Sequence, residues 1–177
     1  MLPQVIILNG TGSSGKTSVA KLLQEQLAQQ YLNFSIDSVL YALPPSDLAC
    51  MMKGEPITRG GYDYAKLVDG YHRCLPSLLD AGCKLIIDNA WIDSAEVDSL
   101  MTLLSPYQVC VIGVYCDLAE AQRRELARGD RAIGLAEYEY PLVHKVFNYD
   151  FTLDTSSISP EQGTNLIVQW LAQSYQN

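Results

Sequence analysis

The chain has 177 residues, 48% of them hydrophobic and 18% charged, with a formal net charge of −8. The apolar content suits one domain with a substantial core, so residues 1–177 are expected to form a single domain. The acidic balance argues against nucleic acid or an anionic membrane as main partner, and no apolar run is long enough to span a bilayer.

The first element is the apolar run Val5-Ile6-Ile7-Leu8, read as a strand over Val5–Asn9. No basic stretch precedes it, so it is expected to be a core strand of a cytoplasmic protein, not a signal peptide. It runs directly into Gly10-Thr11-Gly12-Ser13-Ser14-Gly15-Lys16-Thr17, a complete phosphate-binding loop. Glycines let backbone N–H groups close around a phosphate, and the helix that follows adds the positive end of its dipole. Lys16 is placed to reach the β- and γ-phosphates, and the Thr17 hydroxyl to ligate Mg²⁺. With Ser18 opening the helix, Gly10 to Ser18 form the expected nucleotide site. Val19, Leu22, Leu23 and Leu27 give that helix one apolar face.

A second strand is expected over Asn33–Asp37, ending on a carboxylate. Asp37 then has two readings: a general base that accepts the proton of an attacking hydroxyl, or the N-cap of a helix starting at Ser38. Position alone does not separate them. From Leu43 to Gly61 come three prolines, three glycines and little periodicity. This is expected to be a long, partly helical loop beside the site. A helix follows through Tyr64, Leu67, Val68, Tyr71, Leu75 and Leu78, with a kink or break expected at Pro76.

The third strand, Lys84–Asp88, closes on Asp88, where a nucleotide site holds a carboxylate for Mg²⁺. Asp93 with Glu96, and Asp117 with Glu120, have N-cap and N3 spacing. Between them lies a strand over Val109–Tyr115. Cys110 and Cys116 on this apolar run stand about 20 Å apart, beyond disulfide reach, and the five cysteines are expected to be buried reduced thiols.

Four of the six arginines, Arg123, Arg124, Arg128 and Arg131, fall within nine positions. Arg124, Arg128 and Arg131 share one helical face, and Gly129-Asp130 interrupts it. This predicts a mobile lid, about residues 124–136, bringing arginines to the phosphates; the competing reading pairs them with Glu120 and Glu125 on a solvated face. His72 and His144 are isolated and read as core or surface residues, and the tyrosines are too scattered to define a stacking surface. A fifth strand is expected over Asp150–Asp154, with Asp154 structural or a cap. Ser159-Pro160-Glu161-Gln162 opens a last helix with a capping box, its apolar face at Leu166, Ile167, Trp170 and Leu171.

Strands alternating with helices predict an α/β fold with a parallel sheet covered on both faces. Ligands then bind beyond the carboxyl ends of the strands, where the loop, Asp37 and Asp88 fall.

The chain resembles the chloramphenicol phosphotransferase-like branch of P-loop kinases. The resemblance rests on Ile7-Leu8-Asn9-Gly10 with the loop, on Asp37-Ser38, and on Ile86-Ile87-Asp88. It is most specific at Arg124-Glu125-Leu126-Ala127-Arg128-Gly129-Asp130-Arg131 with Gly134, and extends to Val143-His144 and Tyr149-Asp150. It implies a three-layer α/β/α P-loop fold like that of shikimate kinase, with five parallel strands in the order 2-3-1-4-5. It also implies phosphoryl transfer from ATP to a hydroxyl of a small molecule. Asp37 matches the family's catalytic base, and Arg124, Arg128 and Arg131 match lid residues at the phosphates. The chain departs from the family pattern between Leu43 and Asp63, which leaves the acceptor open. Chloramphenicol, a nucleoside, a sugar nucleotide or another antibiotic all fit, and a nucleotide-binding switch without kinase activity is the alternative from another class.

Overall fold

The computed structural model describes residues 1–128 and 133–175. Five strands form one parallel sheet: β1 (Val5–Asn9), β2 (Leu32–Asn33), β3 (Leu85–Asn89), β4 (Val109–Tyr115) and β5 (Phe151–Asp154). Their order across the sheet is β2-β3-β1-β4-β5, as expected. Eight α-helices are described: α1 (Lys16–Gln26), α2 (Ile36–Leu40), α3 (Pro45–Met52), α4 (Tyr64–Asp80), α5 (Ser94–Leu104), α6 (Leu118–Arg128), α7 (Leu135–Glu139) and α8 (Pro160–Ser174).

The central strand explains the layering. Every residue of β1 is buried, as a parallel strand covered on both faces requires. Ile6 and Leu8 point to one side with Cys110, Ile112 and Val114, under α1 and α8. Val5 and Ile7 point to the other with Ile87 and Val111, under α4 and α5. Register then places the site: Leu8 pairs with Asp88 and with Ile112, and Asn9 pairs with Asn89 and Gly113. The loop after β1 and the carboxyl ends of β3 and β4 therefore emerge at one edge.

Several local expectations change. The second strand is only Leu32–Asn33, and Asp37 neither ends a strand nor caps a helix; it lies in the first turn of α2, whose N-cap is Ser35. α4 runs unbroken across Pro76. Buried Tyr71, Leu75 and Leu79 bind it to the sheet, enough to offset the lost hydrogen bond. In α8 the buried face is Gly163, Thr164, Ile167 and Leu171, while Leu166 is 47% exposed. Among the five free cysteines only Cys110 and Cys116 are buried, and Cys74 is exposed. The Leu43–Gly61 stretch is partly helical through α3. Two of the three expected caps form: Asp93 accepts from the Glu96 N–H, and Ser159 with Gln162 closes a full capping box. Asp154 is structural, accepting from the Ser156 N–H and hydroxyl. No described helix is long and apolar enough to cross a membrane.

Candidate active site

The loop between β1 and α1 has the backbone its sequence requires. Ser13 and Gly15 are both left-handed, at φ 61° and 91°. Gly10 is where β1 turns into the loop, and a Cβ there would stand 2.2 Å from the Val114 carbonyl oxygen, so only glycine fits. Behind the loop, Asn9 ties three segments together: Nδ2 donates to the Val143 carbonyl at 2.7 Å and to Tyr149 Oη at 3.0 Å, and Oδ1 accepts from the Trp91 N–H. Thr155 Oγ1 donates to the Ser14 carbonyl at 2.7 Å. The loop is thus braced from the residue after β5 as well as from its own turns.

Lys16 is buried, and its Nζ donates to the Gly10 and Thr11 carbonyls at 2.6 Å each. Thr17 Oγ1 donates to Asp88 Oδ2 at 2.7 Å, and the other Asp88 oxygen accepts from Asn33 Nδ2 at 2.7 Å. The hydroxyl and carboxylate singled out as metal ligands are therefore adjacent. No group of three or more metal-binding side chains occurs among the described residues. The Thr17 hydroxyl beside the Asp88 carboxylate fits an ion such as Mg²⁺, which takes one or two protein oxygens and fills its shell with water and phosphate.

A cleft of about 570 Å³ opens in front of the loop. Gly12, Ser13, Gly15, Lys16, Thr17 and Ser18 line one end, and Asp37, Asp88, Arg124 and Arg128 also border it. Gly10, Thr11 and Ser14 form the rear of the loop, where the Thr11 hydroxyl is buried without a hydrogen-bond partner. Arg131, with Gly129 and Asp130, lies outside the described residues.

The arginine-rich helix divides its work. Glu120 accepts from Arg123 Nε and Nη2 and from Arg124 Nε, each at 2.7 Å, and these bonds hold its carboxyl down at about 2. Arg123 is thus the solvated ion pair of the competing reading. Arg124 also reaches inward: Nη2 donates to the Thr155 carbonyl at 2.8 Å, beside Gly15. Glu125 pairs with neither: its carboxylate is buried and accepts the N–H groups of Gly134 and Ala136, fixing the start of α7. At the other end of α7, Glu139 Oε2 accepts the Gly12 N–H at 2.6 Å. A carboxylate of the protein itself therefore occupies a donor of the phosphate-binding loop.

Sequence reading missed four things here: Glu139, the Asn9 hub, the Thr155 brace, and an aromatic group beneath the loop. Tyr115 stacks on His144 with centroids 3.7 Å apart, and His144 Nδ1 lies 2.8 Å from Tyr149 Oη. Only Val143-His144 and Tyr149 in the family resemblance carried a signal for the last. Burial first, and the Lys16 charge second, lower the His144 pKa to about 4 from 6.5. The folded protein holds this imidazole neutral, so between pH 6.5 and 4 the unfolded chain binds a proton that the folded chain does not. Stability from this group is full above pH 6.5 and is lost as pH falls toward 4. Calorimetric Tm is expected to fall over that window less steeply in His144→Phe than in the wild type; equal slopes would remove the assignment.

A family model described as chloramphenicol phosphotransferase-like protein matches residues 3–172. The chain belongs to the chloramphenicol phosphotransferase-like family. A candidate O-phosphotransferase of Mycobacterium tuberculosis is 31% identical over 193 residues, covering 98% of this chain and 82% of the relative. Among solved structures, a gluconokinase from Sinorhizobium meliloti superposes with TM-score 0.69 at 15% identity, covering 99% of this chain and 95% of its own. Shikimate kinase from Acinetobacter baumannii, in complex with shikimate, gives 0.67 at 19% identity, covering 100% and 97%. Those two likenesses establish the P-loop kinase fold. With the family they make this member a P-loop phosphotransferase.

Proposed function

We propose that the protein transfers the γ-phosphoryl group of ATP to a hydroxyl of a small molecule. The observation that carries this reading is that Asp37 and the phosphate-binding loop line one cleft. Lys16 and the loop N–H groups would hold the phosphates, and Thr17 with Asp88 would hold Mg²⁺, which supplies charge neutralisation. Asp37 would accept the hydroxyl proton while the acceptor oxygen bonds to the γ-phosphorus. The bond from that phosphorus to the bridging oxygen breaks, leaving ADP. Arg124 and Arg128, with Arg131 as the resemblance implies, would stabilise charge on the phosphates. The smaller hollow between Ser18, Val19, Arg124, Thr155, Ile158 and Pro160 lies behind the loop and suits the base of the nucleotide.

The test is incubation with ATP, Mg²⁺ and a panel of hydroxyl compounds that includes chloramphenicol. Acceptor-dependent ADP release with a product one phosphate heavier by mass spectrometry is expected. ATP hydrolysis governed by a protein partner, with no phosphorylated small product, would favour the switch instead.

Glu139 bears on the same reading. Its carboxylate shares the Gly12 N–H that a phosphate oxygen would take, and its charge opposes a triphosphate. Glu139→Gln is therefore expected to tighten binding of a non-hydrolysable ATP analogue severalfold by calorimetry; unchanged or weaker binding would count against this competition.

A further inference from the structure

The cleft continues from the phosphate loop into a second half walled by α2, α3, α4 and the segment before α5. Leu40, Leu48, Met51, Met52, Tyr64 and Val68 give it an apolar lining. Among the described residues that line the whole cleft, the cations are Lys16, Arg124 and Arg128, and all three stand on α1 or α6, at the nucleotide end. The far half holds instead a carboxylate that phosphoryl transfer does not use, Glu96 on α5.

Glu96 sits at N3 of α5, where a glutamate ordinarily reaches back to close a capping box. Half of that box forms, since Asp93 accepts the Glu96 N–H at 2.9 Å. The reciprocal bond, which Gln162 makes at Ser159 in α8, is not made here. The side chain turns toward the cleft, 36% exposed, with Oε1 3.5 Å from His72 Nε2. Two buried nitrogens, His72 Nε2 and Trp91 Nε1, have no hydrogen-bond partner, in residues only 4% and 2% exposed. Burial raises the Glu96 pKa, with Asp93 adding to it; Trp91 pulls the other way without closing a hydrogen bond. Tyr64, on the opposite wall, has its phenol pushed up by burial first, and then by negative groups, with Glu96 foremost and Asp37 and Glu139 among them. The potential in this half is negative, and nothing on its described walls offsets it.

Burial lowers the His72 pKa below its usual 6.5, so the imidazole facing Glu96 supplies no cation at neutral pH, and a charge-assisted donor from a ligand would relieve the half-buried carboxylate. We propose that Glu96 selects the acceptor by binding a protonated amine on the same molecule that presents its hydroxyl to Asp37. The acceptor class is an amino alcohol with an apolar or aromatic body. The body would lie against Leu48, Met51, Met52 and Tyr64, and hydroxy acids would be repelled. This inference rests on the phosphotransferase reading for the site of the hydroxyl, and adds what lies opposite the phosphate.

The experiment uses matched probes: phenylserinol and phenylalaninol, their N-acetyl amides, and N-acetylphenylserine as the anion. Binding is measured by calorimetry on the full chain saturated with a non-hydrolysable ATP analogue, and turnover by mass spectrometry with ATP. The wild type is expected to prefer each amine over its amide by about tenfold or more, as a charge-assisted hydrogen bond gives, and to reject the anion. In Glu96→Gln the preference should fall to about twofold or less, through KM and not kcat, with affinity for the ATP analogue and Tm unchanged. Amides bound as tightly as amines, or a preference that survives Glu96→Gln, would overturn the assignment. So would a wild type that binds the ATP analogue and none of the amines. A protein that binds no nucleotide at all would instead sink the phosphotransferase reading.

Discussion

Arg128→Ala is expected to lower kcat by about 10³-fold or more, while affinity for a non-hydrolysable ATP analogue changes much less. An arginine that meets charge only in the transition state is worth on the order of 4–7 kcal/mol, or 10³–10⁵ in rate. Arg128 is the last described residue of α6 and borders the cleft, and Arg124, one turn earlier, also bonds Thr155, which in turn braces the Ser14 carbonyl of the loop. Losing Arg124 should therefore weaken nucleotide binding as well as turnover, and losing Arg128 should act mainly on turnover. Single-turnover kinetics separates the two. Unchanged kcat in both Arg128→Ala and Arg131→Ala would refute the lid assignment.

Asp37→Asn is expected to reduce kcat by about 10²–10⁴-fold on the true acceptor. Asparagine keeps the size and the position in the first turn of α2 and removes the proton acceptor, so KM for ATP should hold. The helical position matters for this prediction. An aspartate at the N-cap of α2 would destabilise the protein when altered, by about 1 kcal/mol, but the N-cap is Ser35. A fall in kcat without a fall in Tm would thus separate chemistry from scaffolding. Wild-type kcat in Asp37→Asn would remove Asp37 as the base.

These effects were readable in the sequence to different depths. The phosphate-binding loop was legible because its requirements are local: glycine at the turn, lysine and threonine at fixed offsets, strand before and helix after. β1 and β4 carried their bounds in unbroken apolar runs. β2 did not, because only two residues pair with β3 before the chain turns into α2. Asp37 was found with its role open and its local setting misplaced for the same reason. The arginine cluster was visible as a run, but which arginine turns inward to Thr155 depends on how α6 packs beside the end of β5. Asn9, Thr155 and His144 owe their parts to contacts spanning more than 100 residues of chain, or to stacking between segments that periodicity does not relate.

By itself the sequence determined the long apolar strands and the glycine-rich loop after β1, since each depends on patterns within a single strand–loop–helix unit; the strand order came through the resemblance. The tertiary structure alone decided what faces the loop: Glu139 on the Gly12 N–H, and Glu96 turned out of its capping box toward the apolar half. A residue's neighbours across a cleft are set by packing between elements distant in sequence, and no local pattern encodes them.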